Sequence, residues 1–312
     1  MRKILNIFSN NGGMTLIKKY FYNHVFLYAI TLFLFLPKNR TGMELFREAI
    51  NLKIFRKIQK KYRKYLNSNL SITENVKIPQ KIWFCWLQGL EAAPTLVKTC
   101  YESIKKNCVD YEVIVIDNRN FMNYADIPAI ILDKWEKGII SNTHFSDILR
   151  TALLVKNGGV WIDSTVLITS SIPQEIINSR VFLFQTYKPG SNGKAINLSS
   201  WFIASIPKEQ VFEQVLLLLT KYWEKNNYLC DYFLFHIFVQ IVLELNPEVR
   251  DTIPKYTNET PHFLLFELCK PFDKTRYTCI IGKSFCHKLT YKVDESIKMD
   301  KSNFYNWILE NA

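Results

Sequence analysis

Two apolar runs of strand length, Lys81–Leu87 (KIWFCWL) and Tyr111–Ile116 (YEVIVI), flank a stretch from Pro94 to Asn107 that suits a helix with proline in its first turn. Strand, crossover helix and strand at this spacing imply a parallel βαβ unit, because two parallel strands need a connection of a dozen residues or more. That unit confines the region to an α/β fold with an open, largely parallel sheet. In such sheets ligands bind beyond the carboxyl ends of the strands. Trp86 and Asp117 fall at those ends, Trp86 offering a flat face for a base.

The segment Ser146–Thr165 (SDILRTALLVKNGGVWIDST) carries the chemistry. Asp147 and Arg150 lie three apart at the head of an apolar helical pattern that stops at Gly158-Gly159, and a short strand, Val160-Trp161-Ile162, then delivers Asp163. A helix from Asp147 to Asn157 descends roughly 15 Å, and Val160 to Asp163 climbs back about 10 Å. Asp147, Arg150 and Asp163 are therefore expected at one edge of the fold. Two carboxylates and a guanidinium there suit a phosphate or a metal-phosphate group: Arg150 can pair bidentately with it, and Asp163 is a hard oxygen ligand for Mg²⁺ or Mn²⁺. The plain alternatives are an ordinary i,i+3 surface pair for Asp147–Arg150, a turn cap for Asp163, and core positions for Trp83, Trp86 and Trp161.

Charge is divided sharply along the chain. Residues 1–70 hold 14 of the 40 Lys/Arg but only two acids, Glu44 and Glu48, so they account for the whole net charge of +12. A nucleic-acid enzyme would spread its basic residues over the catalytic face, so the balance argues against a nucleic-acid partner. Within the basic segment, Tyr20–Leu36 is an apolar run broken only by Asn23 and His24, at the short limit for a membrane-spanning helix. It is followed by Met43–Leu66, with Leu45, Ile50, Ile54, Ile58 and Leu66 at helical spacing. A basic amphipathic helix beside an apolar segment reads as attachment to an anionic membrane surface; the alternative is a core helix with a solvated charged face. The expected division is residues 1–70 as a membrane-associating segment and 71–312 as the catalytic domain. If the run spans, the positive charge that follows it keeps the catalytic part at the cytoplasmic face, and surface attachment puts it at the same face. Seven scattered cysteines without a C-x-x-C pair fit a reducing compartment and neither a disulfide framework nor a zinc site.

S-D-x-x-R followed after seven residues by G-G-V-W-x-D-x-T resembles the capsular polysaccharide synthesis glycosyltransferases, relatives of the sugar transferases with a D-x-D motif. The resemblance extends over about Ile78 to Lys292 and includes Ile82-Trp83, Asp231-Tyr232-Phe233 and His287-Lys288-Leu289-Thr290. It implies a GT-A (Rossmann-like) fold, a nucleotide-diphosphate sugar donor and usually a divalent cation; a membrane-associating amino terminus adds the expectation of a lipid-linked glycan acceptor. Carried onto this chain, Asp147 and Arg150 hold the sugar and ribose region, Asp163 binds the metal-diphosphate with Ser164 and Thr165 beside it, and Trp86 lies against the base. Asp117 adds a further donor-side carboxylate. Thr165 stands where the wider group has its second aspartate, which weakens the metal site. Candidates for a further ligand are His287 and Asp231. The basic cluster of His287, Lys288 and Lys292 can cover the diphosphate or be an ordinary surface loop. Asp231 is a second catalytic candidate or the N-terminal acid of the apolar helix that follows, and His236 on that helix reads as a core histidine. Leu198–Ser205 reads as a strand that could wall the acceptor side.

Two other functions compete. One is a non-catalytic sugar-nucleotide or polysaccharide-binding subunit, supported only by the missing aspartate. The other is a sugar-phosphate transferase, for which no phosphate-binding glycine loop is present.

Overall fold

Side-chain alternation along the strands sets the layers of the molecule. The computed structural model describes residues 13–67, 70, 77–187 and 195–311. Counting helices of eight residues or more, the order is α1 (Gly13–Tyr22), α2 (Phe26–Phe35), α3 (Arg40–Tyr62), β1 (Lys81–Cys85), α4 (Thr95–Asn107), β2 (Glu112–Ile116), α5 (Ala129–Glu136) and α6 (Asn142–Asn157). There follow β3 (Gly159–Ile162), β4 (Val166–Ile168), β5 (Val181–Gln185), β6 (Leu198–Ser205), α7 (Gln210–Lys225), α8 (Leu234–Leu245), α9 (Lys274–Ile281), β7 (Cys286–Lys288) and α10 (Phe304–Asn311).

A five-stranded sheet runs β2-β1-β3-β6-β5. Strand β1 is parallel to both β2 and β3, as the βαβ reading requires, while β6 is antiparallel to β3 and to β5. Trp83, Cys85 and Trp161 face one layer of core, and Ile82, Phe84, Val160 and Ile162 face the other. That alternation is what a sheet covered on both faces demands. The first layer holds Phe145, Leu149 and Leu153 of α6 together with α7 and α8, and the second receives Val97 and Ile104 of α4. A separate two-stranded antiparallel ribbon, β4–β7, closes over a third cluster with Leu264, Phe304 and Ile308.

Ser141 caps α6 by accepting the His144 N–H at 3.3 Å, so the helix starts several residues ahead of the apolar pattern and Asp147 lies in its second turn. The Gly-Gly pair ends it. Gly158 and Gly159 have φ of +64° and +98°, and a Cβ on either would lie within 2.8 Å of backbone atoms of Pro207, Ser205 or Lys81. Only glycine fits both the left-handed turn and that close approach.

The amino-terminal run does not form one helix. Asn23 turns its amide inward to the carbonyls of Lys19 (2.8 Å) and Cys230 (2.7 Å), and His24 adopts φ +50°, so Tyr20–Leu36 folds as the end of α1, a tight turn and α2. No helix among the described residues is long and apolar enough to cross a membrane. Helix α3 covers the predicted Met43–Leu66 span up to Tyr62. Ile50, Ile54 and Ile58 are buried as the spacing predicts, whereas Leu45 is exposed. Phe46, Phe55 and Tyr62 complete the buried stripe, and the Tyr62 ring packs edge-on to Phe238 of α8 at 5.2 Å. The basic helix is thus a core helix on one face and a charged one on the other.

Candidate functional site

The ends of β1, β2 and β3 share one edge, because Cys85 pairs with Ile116 and Phe84 with Ile162. Asp163 follows β3 at that edge, and its backbone N–H donates to the Trp201 carbonyl of β6 at 2.8 Å. Its carboxylate is gripped from three sides. Oδ1 accepts from Arg150 Nη2 at 3.2 Å and from Trp161 Nε1 at 2.9 Å, and Oδ2 accepts from Lys288 Nζ at 2.9 Å. Burial would push this carboxyl up. The charges of Lys288 and Arg150, with the hydrogen bonds from Lys288 and Trp161, outweigh burial and hold it well below the usual carboxylate range.

Each partner is placed by its own element. Arg150 projects from α6 one turn after Asp147, whose Oδ1 lies 3.4 Å from Arg150 Nη1. The guanidinium also donates to the Ser200 carbonyl at 2.6 Å and sits over the Trp161 ring, 4.8 Å from its centroid. Trp161 and Asp163 are two apart, so a strand presents both on one face. Lys288 arrives from the far end of the chain. Antiparallel pairing sets Lys288 opposite Val166, and the Leu289 N–H donates to the Thr165 carbonyl at 2.8 Å, which brings the ammonium to Asp163 and to Thr165 Oγ1, 2.9 Å away.

The other predicted residues divide. Trp86 lies at the end of β1, half-buried, with its ring edge-on to Tyr291 at 5.8 Å. Asp117 lies at the end of β2, but its carboxylate is tied into its own turn, accepting from the Arg119 guanidinium at 2.6 Å and from the backbone N–H groups of Arg119 and Asn120. Those bonds, first that from the Arg119 side chain, lower its pKa. Ser164 is half-buried in the turn between β3 and β4. His287 is not brought to the cluster: successive side chains of β7 point to opposite faces, so with Lys288 at Asp163, His287 is turned into the interior. Burial there pushes its pKa down to about 4. Asp231 is not joined to Asp163 by any hydrogen bond or ion pair among the described residues. It pairs instead with Lys19 of α1 at 2.8 Å and accepts the Phe233 N–H at 2.9 Å.

Three further residues border the cluster, none of them given a site role by the sequence. His144, one turn before Asp147, places Nδ1 3.5 Å from Asp147 Oδ2. The exposed Tyr232 carries a raised pKa, from burial of its hydroxyl first and then from the charges of Asp147 and Asp163, so it stands on the rim of the site. His236 lies among Asp147, Arg150, Asp163 and Asp231, and burial pushes it down to about 4. The i,i+2 spacing of Trp161 and Asp163 was the visible signal for the indole's role. Nothing local marks Ser200 or Tyr232.

Asp163 is the acid positioned to hold a cation, yet both of its oxygens already accept from cationic side chains. No group of three His, Cys, Asp or Glu side chains suited to a metal ion occurs among the described residues. A divalent ion about 4 Å from the Lys288 ammonium would meet a repulsion of roughly 8 kcal/mol at an effective dielectric near 20. The donor set, as it is paired here, does not fit the divalent cation that the resemblance implies.

Residues 37–308 match the family described as capsular polysaccharide synthesis protein, a span that contains every residue of this cluster. The chain belongs to that family. No curated protein matches it. Among the solved structures similar to the chain at low level are two glycosyltransferases. The PaToxG glycosyltransferase has a TM-score of 0.38 at 17% identity, with 66% of this chain and 83% of that chain covered. The apo-form glycosyltransferase GlyE of Streptococcus pneumoniae TIGR4 has a TM-score of 0.38 at 11% identity, covering 74% of this chain and 62% of that one.

Proposed function

We propose that this member of the capsular polysaccharide synthesis family is a glycosyltransferase that moves a sugar from a nucleotide-diphosphate donor to a lipid-linked glycan. The observation that carries the reading is the Asp163 carboxylate clamped between Arg150 and Lys288 at the carboxyl end of a parallel strand. An acid, a guanidinium and an ammonium held at fixed distances form a preorganised site for a diphosphate. The two cations can neutralise the charge that develops on the departing nucleotide, and they need no rearrangement at the moment of reaction. Asp147 steadies Arg150 and can accept hydrogen bonds from sugar or ribose hydroxyls, and Trp86 borders the same edge.

The acceptor reading rests on the amino-terminal helices. On α2, Leu27 (79% exposed), Ile30, Leu34 and Phe35 (83% exposed) make an uncovered apolar face, joined by Phe21 of α1. Lys18, Lys38, Arg40 and the outward side of α3 surround it with exposed positive charge. Apolar side chains framed by lysine and arginine suit the boundary of an anionic bilayer, at the cytoplasmic face in this reading. Through the Lys19–Asp231 pair this face adjoins the loop that carries Tyr232, so a lipid-borne acceptor would meet the rim of the site.

Purified full-length protein incubated with UDP- and GDP-sugars should release nucleoside diphosphate with at least one donor, and Asp163→Ala should lower that release by 100-fold or so, the scale of losing preorganised charge stabilisation. Absence of release with every donor, or full release by Asp163→Ala, would refute the assignment.

A further inference from the structure

We infer that Lys288 takes the place of the divalent cation, so that the protein binds a nucleoside diphosphate without metal; the inference rests on the nucleotide-sugar reading above. Three observations converge on it. Where a second carboxylate would be needed for a metal site, the chain has Thr165, whose hydroxyl can accept a hydrogen bond but carries no charge to hold an ion. That hydroxyl and Asp163 Oδ2 both accept from the Lys288 ammonium, each at 2.9 Å. The ammonium is delivered by strand pairing, Val166 to Lys288, rather than by a free loop, so its position is built into the fold.

Charge and valence agree with this role. An ammonium is a point charge with three N–H donors. Asp163 and Thr165 use two of them and aim the group, and the third serves a phosphate oxygen. Arg150 adds a planar donor set on the opposite side of Asp163, since its Nη2 reaches Oδ1 while Lys288 reaches Oδ2. Asp163 then acts as the anchor of two cationic side chains. For a metal ion to use Asp163, Lys288 would have to leave Oδ2 and remain next to a like charge.

The test is calorimetric titration of the full-length protein with UDP and with GDP, in 1 mM EDTA and again in 5 mM MnCl₂ or MgCl₂. At least one diphosphate should bind in EDTA, with an affinity that changes less than about threefold when metal is added. Lys288→Met, close in length and uncharged, should weaken binding by about 10- to 100-fold, the scale of one charge-assisted hydrogen bond. Added Mn²⁺ should not restore it. Lys288→Arg keeps the charge and should retain most of the affinity, which separates loss of charge from loss of fold. Binding that appears only with Mn²⁺ or Mg²⁺ would overturn the inference and leave the nucleotide-sugar reading standing. Failure of UDP and GDP to bind under every condition would overturn both. Undiminished binding by Lys288→Met would remove Lys288 from the role.

Discussion

Asp163 follows β3 and His287 lies in β7, and the environment of each is explained by which way its side chain is turned. Asp163 is held ionised by Arg150 and Lys288, so its contribution to stability is present above the ordinary carboxylate range and is lost only as pH falls below that range. His287 behaves in the opposite sense to a paired histidine. Its folded pKa is pushed down to about 4 from 6.5, so the unfolded chain binds the extra proton first. Stability from this group is complete above pH 6.5 and is lost as pH falls through the window from 6.5 to 4. In denaturant melts, going from pH 7 to pH 5 should cost the wild type about 2 kcal/mol more than it costs His287→Leu. Equal losses in both proteins would show that His287 is not a buried neutral group. The sequence made Asp147, Arg150 and Asp163 legible because helix rise and strand rise alone return them to one edge. Lys288 was legible as a basic residue, but its partner needed a strand pairing across more than a hundred residues. His287 was drawn into the site by adjacency to Lys288, although neighbours in a strand face opposite ways. Asp231 entered as a candidate through the resemblance, and the partner it has in the fold, Lys19, is far away in sequence.

At the scale of elements, the βαβ unit, the α6–β3 turn and β6 were all readable from periodicity, because apolar runs, a proline and a Gly-Gly pair mark their ends. The amino-terminal run was harder. Its composition suits one continuous helix, and the break comes from a long-range contact, the buried Asn23 amide on the Cys230 carbonyl. Helix α3 shows the same limit, since spacing defines an apolar stripe but not whether lipid or protein covers it. Protein covers it. Ile54 is fully buried, so Ile54→Ala should cost about 2–4 kcal/mol in chemical denaturation, while Leu45→Ser on the open side should stay within about 0.5 kcal/mol. Similar small effects from both would mean that α3 does not pack as described.

Over the whole molecule, charge and apolar surface are segregated from the reaction edge but connected to it. The face of α1 and α2 carries exposed leucine and phenylalanine within a basic surround, and the Lys19–Asp231 pair ties it to the loop beside the site. Because these helices also complete the core, removing them would unfold the protein, and surface substitutions are the sound test. Leu27→Asp/Leu34→Asp should lower co-sedimentation with vesicles of phosphatidylglycerol and phosphatidylethanolamine by about tenfold or more, each substitution losing apolar burial of roughly 1.5–3 kcal/mol, with the melting temperature unchanged. Undiminished sedimentation would refute the membrane contact proposed for this face. The composition alone placed the positive charge in the first seventy residues; only the fold shows that the helices α1 to α3 both pack on the rest of the chain and present an open face.

The most direct measurement follows the sugar itself. Full-length protein is incubated with radiolabelled UDP- and GDP-sugars and membranes from a capsule-forming bacterium, and label is counted in the butanol-extractable lipid fraction. Label should move into lipid in step with nucleotide release, and Asp163→Ala should lower both by about 100-fold. Nucleotide release without label in the lipid, or unaltered transfer by Asp163→Ala, would contradict a transferase built on the Asp163–Arg150–Lys288 cluster.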